Sequence, residues 1–66
     1  MEMIRVSSSA ISAIGYNAET MRMRILFKEG KSYDFCRVPA HVFESFMRSS
    51  SKGGYYTDHI RDRYQC

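Results

Sequence analysis

Sixty-six residues carry ten Lys or Arg against seven Asp or Glu, a formal net charge of +3. A chain of this length makes a single domain that buries only about 60% of the surface it exposes unfolded, too little to enclose the pocket most enzymes use. The dispersed basic charge permits an acidic partner without demanding one, and no segment approaches the ~18 apolar residues of a membrane span.

MEMIRVSSSA, at the start, has no basic region followed by a long apolar run, so the expectation is a soluble, cytoplasmic chain. Cys36 and Cys66 are too few for a disulfide framework and match no metal-ligand spacing. They are expected as reduced thiols, with no metal and no other cofactor.

In chain order, Met3-Ile4-Arg5-Val6 alternates briefly and reads as an optional edge strand before Ser7-Ser8-Ser9 interrupts it. A first strand is expected from Ile11 to Tyr16. Ile11 and Tyr16 have opposite parity, so burying both on one face needs a bulge or bend, and Gly15 is the natural place for it. Asn17-Ala18-Glu19-Thr20 then turns the chain.

Met21 to Phe35 reads as a β-hairpin, with Met21, Met23, Ile25 and Phe27 alternating in the first strand and Tyr33 and Phe35 in the second. A two-residue turn on Glu29-Gly30 would force Glu29 to positive φ. A three-residue loop, Lys28-Glu29-Gly30, leaves only Gly30 there. It pairs Phe27 with Lys31, Ile25 with Tyr33 and Met23 with Phe35, which gathers all six large apolar side chains on one face. The same register sets Arg24 across from Asp34 on the other face, an opposite-charge cross-strand pair.

Pro39 cannot donate to a ladder, holds Val38 extended and suits the first turn of a helix. From Ala40 to Ser50 the apolar residues Val42, Phe43, Phe46 and Met47 form one stripe of an amphipathic helix. Gly53 and Gly54 are expected to stop it with a left-handed cap. Thr57 or Asp58 then caps a second, shorter helix in which Tyr56, Ile60 and Tyr64 recur every fourth residue. The expected fold is α+β: a three-stranded antiparallel meander followed by two short helices packed on one sheet face. Its core comprises Met23, Ile25, Phe27, Tyr33 and Phe35 from the sheet, and Val42, Phe43, Phe46, Ile60 and Tyr64 from the helices.

Taken together, Val6-x-Ser8-Ser9-x-Ile11, Ile14-Gly15-Tyr16, Phe27-x-x-Gly30-x-x-Tyr33-x-Phe35, Val38-Pro39, Ser51-x-Gly53-x-Tyr55-Tyr56 and Ile60-Arg61-x-x-Tyr64 resemble the KTSC family. This small domain occurs at the C-terminus of some lysyl-tRNA synthetases and as a free-standing bacterial protein. The resemblance covers about residues 6 to 64 and rests on the order and spacing of the motifs. Two positions depart from the family pattern: its central Tyr-x-Tyr is Tyr33-x-Phe35 here, and Ser49 stands where a small apolar residue is usual. The resemblance carries no established activity; what it implies is RNA or tRNA binding, from the company the domain keeps.

Ser51-Lys52-Gly53-Gly54-Tyr55 is the best candidate site, because backbone N–H groups, Lys52 and the Ser51 hydroxyl can bind phosphate while Tyr55 stacks on a base. The same stretch also reads as an ordinary helix C-cap. It is not a P-loop, since the Gly-x-x-x-x-Gly-Lys-Ser/Thr spacing is absent. Arg48, Arg61 and Arg63 add a basic edge, which an Asp58–Arg61 helix pair would partly neutralise. Tyr33 and Phe35 can be a stacking platform or core, and the register favours core.

Arg22, Arg24 and Arg37 form a second basic group on the open sheet face, weakened by Asp34. Leu26, on that same face, is the hint of an alternative in which the open face or a strand edge binds a protein partner or a second copy. His41 and His59 have no carboxylate or nucleophile at a telling spacing. The expectation is a non-catalytic binding module.

Overall fold

The computed structural model describes all residues, Met1–Cys66, and folds them as a four-stranded antiparallel sheet with two helices on one face. The strands are β1 (Met3–Arg5), β2 (Ile11–Asn17), β3 (Arg22–Phe27) and β4 (Ser32–Phe35), arranged in sequence order. The meander expected from residue 11 onward is therefore present, and the optional edge expected at residues 3 to 6 is a fourth strand over Met3–Arg5. It pairs Met3 with Gly15, Ile4 with Ile14 and Arg5 with Ala13.

The hairpin has the expected register: Met23 faces Phe35, Arg24 faces Asp34 and Ile25 faces Tyr33. Phe27 N–H donates to the Lys31 carbonyl at 2.8 Å and Gly30 N–H to the Phe27 carbonyl at 2.9 Å, with Gly30 at φ 107°. Only glycine takes that conformation without strain, so Gly30 sets the loop length and through it the register.

The bulge lies elsewhere than expected. The β2–β3 register shifts between Ile11 and Ala13, so Ser12 is the extra residue and Ile11 and Ile14 both reach the core face. Gly15 instead meets the N-terminal segment: a Cβ there would lie 2.6 Å from the Met3 sulfur and 3.0 Å from the Glu2 carbonyl oxygen.

Helix α1 (Ala40–Arg48) starts at Pro39, whose carbonyl accepts from Val42 and Phe43 N–H at 3.0 and 3.3 Å. Val42 and Phe46 are buried and Phe43 and Met47 half-buried, as the apolar stripe predicts. The helix ends at Ser49, not at the glycines. Helix α2 (Lys52–Tyr55) begins where a stop was expected, capped by Ser51, whose Oγ accepts from Gly54 N–H at 3.2 Å. It runs directly into one π-type turn (Tyr56–Ile60), closed by Arg61 N–H on the Tyr56 carbonyl at 2.8 Å. Thr57 and Asp58 lie inside this helical stretch and cap nothing, and Tyr64 lies beyond it.

The core is one cluster of nine buried residues: Ile11, Ile14, Met23, Ile25 and Phe35 from the sheet, then Val38, Val42, Phe46 and Ile60. Phe27, Phe43 and Tyr64 pack against it half-buried. Tyr33 departs from expectation. It sits on the core side of the sheet, opposite Ile25, with the Phe27 ring against it, yet 47% of it is exposed because β4 is the outer strand. Met21 is also exposed, lying at φ 59° in the turn before β3.

Cys36 and Cys66 are joined by a disulfide, which corrects the expectation of free thiols. Beside it, Gln65 bridges to Phe35, and Cys36 N–H donates to the Tyr64 carbonyl at 2.8 Å. Their separation along the chain says nothing of this; the turn after Ile60 brings the last residues back alongside β4. No helix is long and apolar enough to cross a membrane.

Candidate functional site

The loop between β1 and β2 is held by Ser8, whose hydroxyl oxygen accepts from Ala10 N–H at 3.2 Å and Ile11 N–H at 3.3 Å. Lys28 N–H donates to the Ala10 carbonyl at 2.9 Å and ties the hairpin loop to the same place. Against this pair of loops stands the beginning of α2, with Gly53 close enough that a Cβ would touch Ala10. Three separate stretches of chain thus enclose an open groove of about 840 Å³.

The groove is chemically one-sided. Of the 11 residues lining it only Val6 is hydrophobic; Arg5, Lys28 and Lys52 bring cations, Ser7, Ser8, Ser9, Ser50 and Ser51 bring hydroxyls, and no carboxylate is among them. The Lys52 ammonium donates to the Ser49 carbonyl at 2.6 Å, which fixes its position and leaves two of its three donors free. Cations and hydroxyl donors without a counter-charge suit a phosphate or another anion.

Ser51, Lys52, Gly53 and Gly54, from the stretch nominated in the sequence, line this groove. The other nominated residues do not. Tyr55 is committed to packing: its ring stacks on Phe46 with centroids 5.4 Å apart, lies 4.5 Å from His59, and its hydroxyl is 3.5 Å from the Val42 carbonyl. Arg48 is exposed at the end of α1, and Arg61 and Arg63 are exposed beyond the π-type turn. Arg61 lies 4.0 Å from Asp62, and the expected pair with Asp58 is not formed.

Arg5, Lys28 and the three serines escaped notice because they adjoin Ser51 only in the folded chain. The one signal was the Ser8-Ser9 pair in the family pattern, which named the residues without naming their neighbour.

A second feature lies on the same side of the sheet. Phe27 is contacted edge-on by Tyr33 at 5.6 Å and by Tyr56 at 5.2 Å, and Tyr56 also meets Phe35 at 6.0 Å. Burial raises the Tyr56 hydroxyl pKa, and the nearby Arg61 charge opposes that rise. On the open face, Arg24 Nε and Nη2 donate to the two oxygens of Asp34 at 2.7 and 3.0 Å, so the pair expected from the register forms bidentately. Leu26 on that face is half-buried.

The KTSC domain profile matches residues 7–64. A crystal structure of a KTSC domain protein from Yersinia pestis superposes with a TM-score of 0.95 at 32% identity, covering 98% of this chain and 92% of that one. A protein of Tsukamurella paurometabola is 30% identical over 61 residues, 92% of this chain and 91% of its own length. By sequence pattern, fold and full-length correspondence, the chain belongs to the KTSC domain family.

Proposed function

We propose that this domain is a small non-catalytic module that binds RNA, including tRNA, through phosphates held in the groove between the Ser7-Ser8-Ser9 loop, Lys28 and the start of α2. The observation that carries this reading is the lining itself, with three cations and five serines and no acidic residue. Serine hydroxyls and backbone N–H groups fix where a phosphate oxygen sits, and Arg5, Lys28 and Lys52 supply the attraction. The groove is too open for substrate sequestration, which fits binding better than catalysis.

The test is a titration of fluorescently labelled tRNA at several salt concentrations with the wild-type protein and with an Arg5→Ala, Lys28→Ala, Lys52→Ala triple variant. Counterion release makes affinity fall steeply with salt, with the logarithmic slope reduced by about 0.7 for each single-strand phosphate contact removed. The triple variant is expected to fold normally, to bind at least tenfold more weakly at low salt, and to show the shallower slope. Wild-type protein that ignores RNA at low salt, or a variant with unchanged slope, overturns the reading.

A further inference from the structure

Tyr33 is the largest exposed aromatic residue of the core-side sheet face, and it adds little to the core. Its ring is buttressed by Phe27, and Phe27 in turn by Tyr56. Both supports adjoin the groove's lining along the chain: Phe27 immediately precedes Lys28 in the hairpin, and Tyr56 lies one helical turn beyond Lys52. Tyr56 therefore stands about 6 Å along the axis from Lys52, and the Arg61 charge is felt at its hydroxyl. The cationic groove and the aromatic cluster are thus close enough for one short strand to reach both.

We propose that the exposed ring of Tyr33 is a base-stacking platform, and that the nucleic acid held by the serine and lysine groove is therefore single-stranded. This rests on the groove reading given above and specifies its ligand. In a duplex both faces of each base are already covered by neighbouring bases, so a side chain standing on a sheet can reach only backbone and groove edges. An unpaired base has free faces, and stacking on a tyrosine covers one of them without regard to its identity. Phe27 limits the ring's orientation, and Arg61, whose charge is felt at the neighbouring Tyr56, is available to a phosphate of the bound strand.

The chemistry separates cleanly into a phosphate part and a base part, and so does the experiment. The probes are a labelled oligouridylate of about ten nucleotides, an RNA duplex of similar length, and inorganic polyphosphate, which has charge but no bases. They are titrated into wild-type protein, Tyr33→Ala and Tyr33→Phe, each checked by thermal melting. Tyr33→Ala is expected to weaken the oligouridylate roughly tenfold while changing polyphosphate less than twofold. Tyr33→Phe, which keeps the ring, should retain the single-strand affinity, and wild-type protein should prefer the single strand to the duplex.

Equal affinity for duplex and single strand, or a Tyr33→Ala variant that binds both oligouridylate and polyphosphate as the wild type does, overturns the platform and leaves the groove standing. Wild-type protein that binds neither oligouridylate nor polyphosphate overturns both.

Discussion

Arg24 and Asp34 show how one residue pair links the hairpin register to pH. The bidentate hydrogen bonds from Arg24 are the main cause holding the Asp34 carboxyl below its ordinary value, against a smaller opposing effect of burial. A carboxyl depressed in the folded state stabilises the fold fully above the unfolded value, near 3.8, and that contribution disappears as pH falls through the lower folded value. Both side chains are partly exposed, so solvent screening keeps the effect small. Asp34→Asn is expected to lower the melting temperature at pH 7 by no more than a few degrees, and the difference from wild type should vanish near pH 2. Melts at the two pH values decide it: a gap that persists in acid would show that Asp34 acts through packing or turn geometry rather than charge. Tyr16 is tied down differently, its hydroxyl donating to the Val38 carbonyl at 2.6 Å and fixing the chain just before α1.

At the scale of elements, Gly15 decides whether β1 can dock. Met3 lies directly opposite it, and a Cβ at 2.6 Å from the Met3 sulfur and 3.0 Å from the Glu2 carbonyl cannot be accommodated by moving the thioether alone. Gly15→Ala should therefore loosen β1 while leaving β2, β3 and β4 in register, at a cost of about 1–3 kcal/mol. Amide exchange within residues 3 to 5 is expected to accelerate at least tenfold; unchanged protection would mean that the N-terminal segment has room to shift. The hairpin was legible in the sequence because turn chemistry, alternation and the Arg24–Asp34 pairing are all local and agree. The bulge was not, because Ser12 and Gly15 satisfy the same parity requirement and only the approach of Met3 distinguishes them. The second helix was misplaced because Gly53 and Gly54 disfavour helix intrinsically, whereas the Ser51 cap and the packing of Tyr55 on Phe46 and Tyr56 on Phe27 outweigh that preference. In the groove, Ser51, Lys52 and Gly53 could be nominated from their own segment. Arg5 and Lys28 could not, since their partnership exists only after the sheet has formed.

For the molecule as a whole, the central question is what holds together a 66-residue domain with a core cluster of nine buried residues. The Cys36–Cys66 disulfide answers part of it. Its two ends are 30 residues apart, enclosing α1, α2 and the π-type turn, so it draws the whole helical layer into one closed loop anchored on β4. Closing a loop of that length removes conformational freedom mainly from the unfolded chain, worth on the order of 2–4 kcal/mol. In so small a domain that is a large share of the total stability. It also keeps Tyr64 against the core and Gln65 bridged to Phe35, contacts that a short, largely exposed segment would otherwise exchange for water. Adding a dithiol reductant, or replacing Cys66→Ser, is therefore expected to lower the melting temperature by about 10 °C or more. The two perturbations should agree, because each removes the same cross-link. If neither shifts the melt, Tyr64 packing and the backbone bridge alone hold the closing segment, and the cross-link adds nothing that the folded helical layer does not already provide. If only the variant shifts it, the disulfide is shielded from the reductant by the segment it fastens, and the melt in strong denaturant with and without dithiol would recover the difference.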